Sequence, residues 1–304
     1  VRAVLILALL VLACVPVESA PAAWSAPHCD AQGALDGADS LSDRSSRVRL
    51  ELDDGVRILA LRRYPDGLDC APAVVMIPPG LEWGQRMMGK AEADSLVAQG
   101  AAVFSFDPRG RGASEGEEDA NGYRGQDDLA AVLRWISAQR DVDSSRIVVS
   151  SRSFGGALAA GALGRHTDLA VAGWVDVESP GYLQEDLDYA AEETRTRMLA
   201  LVDPSDPEEW WAEREPAGLI GGVLVPYHRF QGLPDHALGP RTLHAAAMLE
   251  NATAAASLSY NGQPVDRAEI DAGFVRDNVL DGALDPDDPM VVDAVSTWLR
   301  DGSG

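Results

Sequence analysis

Short apolar runs alternate with stretches of helical period along most of this chain. Residues 47–52 and 56–61 alternate apolar and polar side chains across Asp53-Asp54-Gly55, the pattern of a β-hairpin. Residues 73–77 and 101–106 are continuous apolar runs, as strands buried on both faces require. The stretch between them, 91–99, is helical and closes at Gly100. Residues 127–139 place Leu129, Val132, Leu133 and Ile136 on one helix face. A strand is expected at 147–150 and a helix of small, closely packing residues at 154–163. Further strands are expected at 171–177, 222–227 and 255–260, with a helix at 241–249 and a closing helix at 291–300. This alternation predicts an α/β fold with one mostly parallel sheet covered by helices on both faces. Between residues 180 and 218 the strands stop. That segment holds Trp210, Trp211 and many acids, and reads as a helical lid insertion.

The N-terminal pattern is different. Residues 4–13 form an unbroken apolar run of ten. A membrane-spanning helix needs about 20 such residues, whereas a signal-peptide core needs about ten. Val11-Leu12-Ala13-Cys14 resembles a bacterial lipobox, which would leave a lipid on Cys14 and tether the chain to a membrane. The other reading is cleavage after Ala22 or Ala23. Both predict export, to the periplasm, the exterior or a lipoprotein tether. The expected organisation is a signal at 1–19, a flexible polar arm at 20–45 and one domain at 46–304, with its lid at about 180–218. Export would leave Cys29 and Cys70 in an oxidising compartment, where a disulfide between them is expected; two unpaired thiols are the plain alternative. There is no CxxC and no zinc-type spacing, so no metal and no cofactor are expected.

Composition narrows the function. The 304 residues are 46% hydrophobic and 24% charged, with mean hydropathy near zero. That is a globular composition and not a collagen-like, disordered or multispanning one. Aspartate and glutamate number 48 against 25 lysines and arginines, a net charge of −23. A chain this acidic repels phosphate backbones, which argues against nucleic acid and leaves a small-molecule or peptide substrate as the expected partner. Nothing in the pattern fixes an oligomeric state.

The chemistry-bearing motif is Ser151-Arg152-Ser153-Phe154-Gly155-Gly156, set between an expected strand and an expected helix. A sharp turn there lifts the Ser153 hydroxyl above the sheet, and small residues two before and two after relieve the crowding. The helix N-terminus behind Ser153 favours negative charge. With Phe106-Asp107-Pro108-Arg109-Gly110 and the glycines that follow, the chain resembles the α/β-hydrolase superfamily, in the style of prolyl-peptidase-like and cocaine-esterase-like serine hydrolases. The resemblance covers roughly residues 47–300. It implies an α/β-hydrolase fold and an acyl-transfer mechanism with Ser153 as nucleophile. It also implies an oxyanion hole from the amides of Phe154 and of Leu81, after Pro78-Pro79-Gly80. Asp107 and Arg109 read as a pair bracing their loop.

Residues 223–236 resemble the family's strand and Gly-x-x-Asp turn, which makes Asp235 the expected triad acid. The base departs from the pattern. Relatives carry a histidine after the last strand, but none of the five histidines here follows His244, and Asp281-Gly282 stands about where His-Gly is expected. His228 reads as structural, His166 as a helix C-terminal cap and His244 as a residue of a helix that can face the core. His28 lies in the arm. His236, beside Asp235, is left as the expected base of an exported serine hydrolase cleaving esters or peptides. The alternative is a non-catalytic binding lipoprotein with a degenerate hydrolase fold. A metal site from His228, His236 and Asp235 has no supporting spacing.

Overall fold

The computed structural model describes Cys29 and residues 39–42, 45–66, 70–238, 242–271, 273–282, 284 and 288–301. The expected signal at 1–19, Cys14 included, lies outside the described residues, as does the arm from 20 to 38 apart from Cys29. Twelve strands are present among the described residues: β1 (Asp39–Ser42), β2 (Ser45–Glu51), β3 (Arg57–Arg63), β4 (Ala71–Met76), β5 (Ala102–Asp107), β6 (Val142–Arg152), β7 (Gly173–Val177), β8 (Tyr227–Phe230), β9 (Gly232–Leu233), β10 (Leu258–Tyr260), β11 (Gln263–Pro264) and β12 (Leu280–Asp281). Ten form one sheet in the order β1-β2-β3-β5-β4-β6-β7-β8-β10-β11. The centre, from β5 through β10, is parallel, and the flanks are antiparallel.

The sheet is apolar on both sides because consecutive residues of a strand point to opposite faces. In β4, Ala73 and Val75 join one core and Val74 and Met76 the other. The first core is closed by α3 (Tyr123–Ser137), α4 (Gly155–Arg165) and α9 (Leu243–Asn251). The second is closed by α2 (Ala91–Ala98), which follows α1 (Gly84–Met88), and by α12 (Pro289–Asp301). The insertion between β7 and β8 carries α5 (Leu183–Asp186), α6 (Glu192–Leu199), α7 (Pro207–Ala212) and α8 (Pro216–Leu219). A separate cluster joins Trp210, Trp211, Met198, Leu183 and Leu187 of this cap to Phe154 and Ala157 at the start of α4. The cap is therefore fastened directly over the turn that carries Ser153. The short helices α10 (Arg267–Asp271) and α11 (Phe274–Asp277) lie between β11 and β12.

Three local expectations shift. The strand expected at 222–227 begins only at Tyr227, because Pro226 has no amide to donate and residues 220–222 form a 3₁₀ turn. The arm expected to run loosely to residue 45 contains β1, which pairs antiparallel with β2. Asp107 and Arg109 brace their loop, but not as a pair. Asp107 accepts from the Ala113 amide at 2.8 Å, while Arg109 reaches Asp128 with two 2.6 Å bonds. Cys29 and Cys70 are joined by a disulfide.

Candidate active site

Ser153 sits at the turn from β6 into α4 with φ of +53°. A non-glycine residue in the left-handed region is strained, and it persists only where the surroundings hold it. Here the Ser153 amide donates to the Val177 carbonyl at 2.9 Å, which pins the turn to the neighbouring strand β7. Gly155 and Gly156 are required by close approach. A Cβ on Gly155 would lie 2.6 Å from the Pro78 carbonyl oxygen, and one on Gly156 would lie 2.0 Å from Ser179 Oγ. Ser151, where glycine is usual, is tolerated because its hydroxyl donates to Asp176 Oδ1 at 2.9 Å and accepts from Trp174 Nε1 at 2.8 Å.

His236 lies in the turn after β9 and lines the same cleft as Ser153. The sequence pairs this ring with Asp235; the structure pairs it with Glu178. Glu178 Oε2 lies 2.6 Å from His236 Nδ1, against 3.5 Å for Asp235 Oδ1. Glu178 is buried at the end of β7, also with a positive φ, of +52°. Its other oxygen accepts from the amides of Gly232 at 3.2 Å and Leu284 at 3.1 Å. The β7–β8 register, which sets Val177 opposite Phe230, brings Glu178 and the His236 turn to one edge of the sheet.

Asp235 has a different set of partners. Its oxygens accept from the Ala237 and Leu238 amides, each at 2.8 Å, from Gln231 Nε2 at 2.9 Å, and lie 3.2 Å from His244 Nε2. Burial alone would push this carboxyl up. The hydrogen bonds from His244, the Ala237 amide and Gln231 outweigh that and hold it well below the usual carboxylate range. Asp235 thus ties down the turn that presents His236. It also ends a buried polar chain: Gln231 accepts from Arg229, and Arg229 pairs with Asp176 at 2.7 Å beneath the Ser153 turn.

The remaining histidines have structural partners. His228 is buried in β8, stacked on Phe230, and accepts the Gly262 amide through Nε2. Burial pushes its ring down to about 4, so it is neutral near pH 7. His166 is the C-cap of α4 and meets Asp127 at 2.8 Å. His244 is buried against Asp235, and His28 lies outside the described residues. Asp281, where a late histidine was expected, is exposed in β12; this strand pairs with β9 and brings the Leu284 amide to Glu178. The loop without its histidine therefore holds the carboxylate.

The cleft has a volume near 480 Å³. Ser153, Leu81 and Pro79 line it on the sheet side, and Thr194, Arg197 and Met198 on the cap side. Gly80, at φ +56°, turns the chain so that the Glu82 amide closes on the Pro79 carbonyl at 3.0 Å. Among the described residues the Leu81 and Phe154 amides have no backbone acceptor, which leaves them free to donate to an incoming oxygen. Glu178, Asp235 and His236 each offer an atom within 4.8 Å of the others, a set that a metal ion could share. Those atoms are engaged instead in the hydrogen bonds described above, at distances suited to a proton between them.

Residues 69–201 match a family model described as serine aminopeptidase, S33. Two curated proteins from Mycobacterium tuberculosis strains, each named only as uncharacterized, are 31% identical over 129 residues. That match covers 42% of this chain and 44% of theirs, so the chain spans less than half the length of these relatives. Among solved structures, an esterase from Pyrococcus furiosus is similar with a TM-score of 0.59 and 17% identity, over 84% of this chain and 91% of that one. Acetyl xylan esterase 1 from Thermoanaerobacterium sp. JW/SL YS485 is similar with a TM-score of 0.60 and 18% identity, over 87% and 86%. At such identities the likeness is one of fold.

Proposed function

We propose that this chain, which has the α/β-hydrolase fold, is a serine hydrolase of esters or peptides with Ser153, His236 and Glu178 as its triad. The observation that carries the reading is the junction of two strained turns at one sheet edge. Ser153 and His236 line one cleft, and the ring's Nδ1 is held by a buried carboxylate.

The mechanism follows from that arrangement. Glu178 accepts a hydrogen bond from the Nδ1–H of His236, which fixes the tautomer and leaves Nε2 as the acceptor facing the reaction. Nε2 takes the Ser153 Oγ proton as Oγ attacks the substrate carbonyl. The oxygen that becomes negative is received by the Leu81 and Phe154 amides, supported by the N-terminus of α4. His236 returns its proton to the leaving alcohol or amine, and an acyl group stays on Ser153. Water, deprotonated by the same nitrogen, then releases the acid. The Glu178 charge stabilises the imidazolium in both halves. The Cys29–Cys70 disulfide supports an oxidising compartment, and hence export.

Hydrolysis of 4-nitrophenyl acetate tests the reading. Wild-type protein should turn the ester over, and Ser153→Ala should lower kcat by about 10³-fold or more. Equal rates in the two proteins would contradict it.

A further inference from the structure

The charges that line the cleft are not balanced. One acid, Glu82, lines it, a second, Glu178, is buried behind His236, and both are engaged. Glu82 holds Arg86 through both carboxylate oxygens at 2.6 Å, and Glu178 holds His236 and two amides. Two guanidinium groups also line it. Arg197, in the last turn of α6, projects from the cap, is exposed, and has no anionic partner among the described residues. Arg152 comes directly before the nucleophile. Its Nη2 donates to the Leu284 carbonyl and lies 3.9 Å from Glu178, while its Nη1 is buried with no hydrogen-bond partner among the described residues. A buried guanidinium donor left unpaired is costly, and a carboxylate oxygen is the acceptor that satisfies it best, because a hydrogen bond between charged groups is stronger than one between neutral groups. In a chain of net charge −23, acidic side chains are abundant, yet among the described residues none pairs with Arg197.

We infer that the cleft is an anion-reading site: its substrates carry a carboxylate near the scissile bond, received by Arg197 on the cap, with Arg152 beneath it. The substrate class is then a monoester or monoamide of a dicarboxylic acid, or a peptide with a free carboxylate near the cut. Leu81, Trp83 and Met198 supply the apolar wall along which the intervening carbons lie. This deepens the proposed function and rests on its placement of the scissile bond at Ser153. Arg197 touches the distal carboxylate and not the reacting atoms, so its part is specificity.

Binding without turnover separates the two ideas. In the Ser153→Ala protein, mono(4-nitrophenyl) glutarate (anionic) and 4-nitrophenyl butyrate (neutral) are titrated by calorimetry at fixed ionic strength. The anionic ester should bind about tenfold more tightly, and adding Arg197→Gln should remove that difference while leaving the neutral ester within about twofold. Equal affinity for the two esters, or a preference that survives Arg197→Gln, would overturn the inference. The two affinities read the carboxylate site, while loss of turnover in Ser153→Ala relative to the wild type reads the nucleophile, so failure of one is distinguished from failure of the other.

Discussion

Glu178 and Asp235 are two buried carboxylates near one imidazole, and their partners assign them different work. Glu178 directs an oxygen at His236 Nδ1 from 2.6 Å; Asp235 spends its oxygens on two amides, a glutamine and His244. Glu178→Gln should therefore lower kcat/KM by about 10²-fold or more at little cost in fold. Asp235→Asn should lower stability by about 1–3 kcal/mol, with a smaller loss of kcat/KM. Rates and urea midpoints of the two variants check this, and the reverse ranking would return Asp235 to the acid's role. His228 gives a second prediction. The unfolded chain protonates this ring below an ordinary pKa of 6.5, and the folded one only near 4. Its contribution to stability is therefore complete above pH 6.5 and is lost as pH falls towards 4. Between pH 7 and pH 5 the wild type should lose about 2 kcal/mol more than His228→Gln, measured by urea unfolding; equal losses would contradict it. At this scale the sequence is informative where chemistry is local. The sharp turn at Ser153 is legible because strand, turn and helix lie within a few residues of it. Glu178 is not, because nothing around Val177-Glu178-Ser179 announces a ring 58 positions away.

That ring arrives through the elements. Adjacent parallel strands β7 and β8 end at the same edge, and their register, not their composition, sets Glu178 against the turn carrying His236. Register across a long insertion cannot be read from periodicity, whereas the strands themselves can. The runs at 73–77 and 101–106 fall within about two residues of β4 and β5. The approach of α4 to β7 is equally demanding. Gly156 faces Ser179, the neighbour of Glu178, with no room for a methyl group. Gly156→Ala should cost about 1–3 kcal/mol of stability and displace Glu178, so that turnover falls further than stability alone explains. Gly218→Ala, in α8 with nothing within 4 Å of the added carbon, is the control and should be close to neutral. A Gly156→Ala protein with wild-type midpoint and rate would contradict the packing account.

On the scale of the whole molecule, the parallel centre, the doubly covered sheet and the cap between β7 and β8 were all legible, because burial pattern repeats over many residues. The strand β1 was not, since Asp39–Ser42 carries no apolar alternation and is held by pairing with β2. The disulfide fastens this N-terminal segment to the start of β4 across a separation of 41 residues. Closing a loop of that length should contribute about 2–4 kcal/mol. Reduction, or the double change Cys29→Ser and Cys70→Ser, should lower the urea midpoint accordingly, and an unchanged midpoint would contradict that role. Turnover should persist in the reduced folded protein, since neither cysteine lines the cleft.

The central claim is that Ser153 is an activated nucleophile whose proton passes to His236 under the charge of Glu178. Labelling with a fluorophosphonate and mapping the adduct by mass spectrometry tests it most directly, since no substrate need be known. The account predicts one adduct, on Ser153, formed by the wild type and slowed by about 10²–10⁴-fold in His236→Ala. An adduct on another residue, no adduct on the folded protein, or labelling of His236→Ala at the wild-type rate would contradict it.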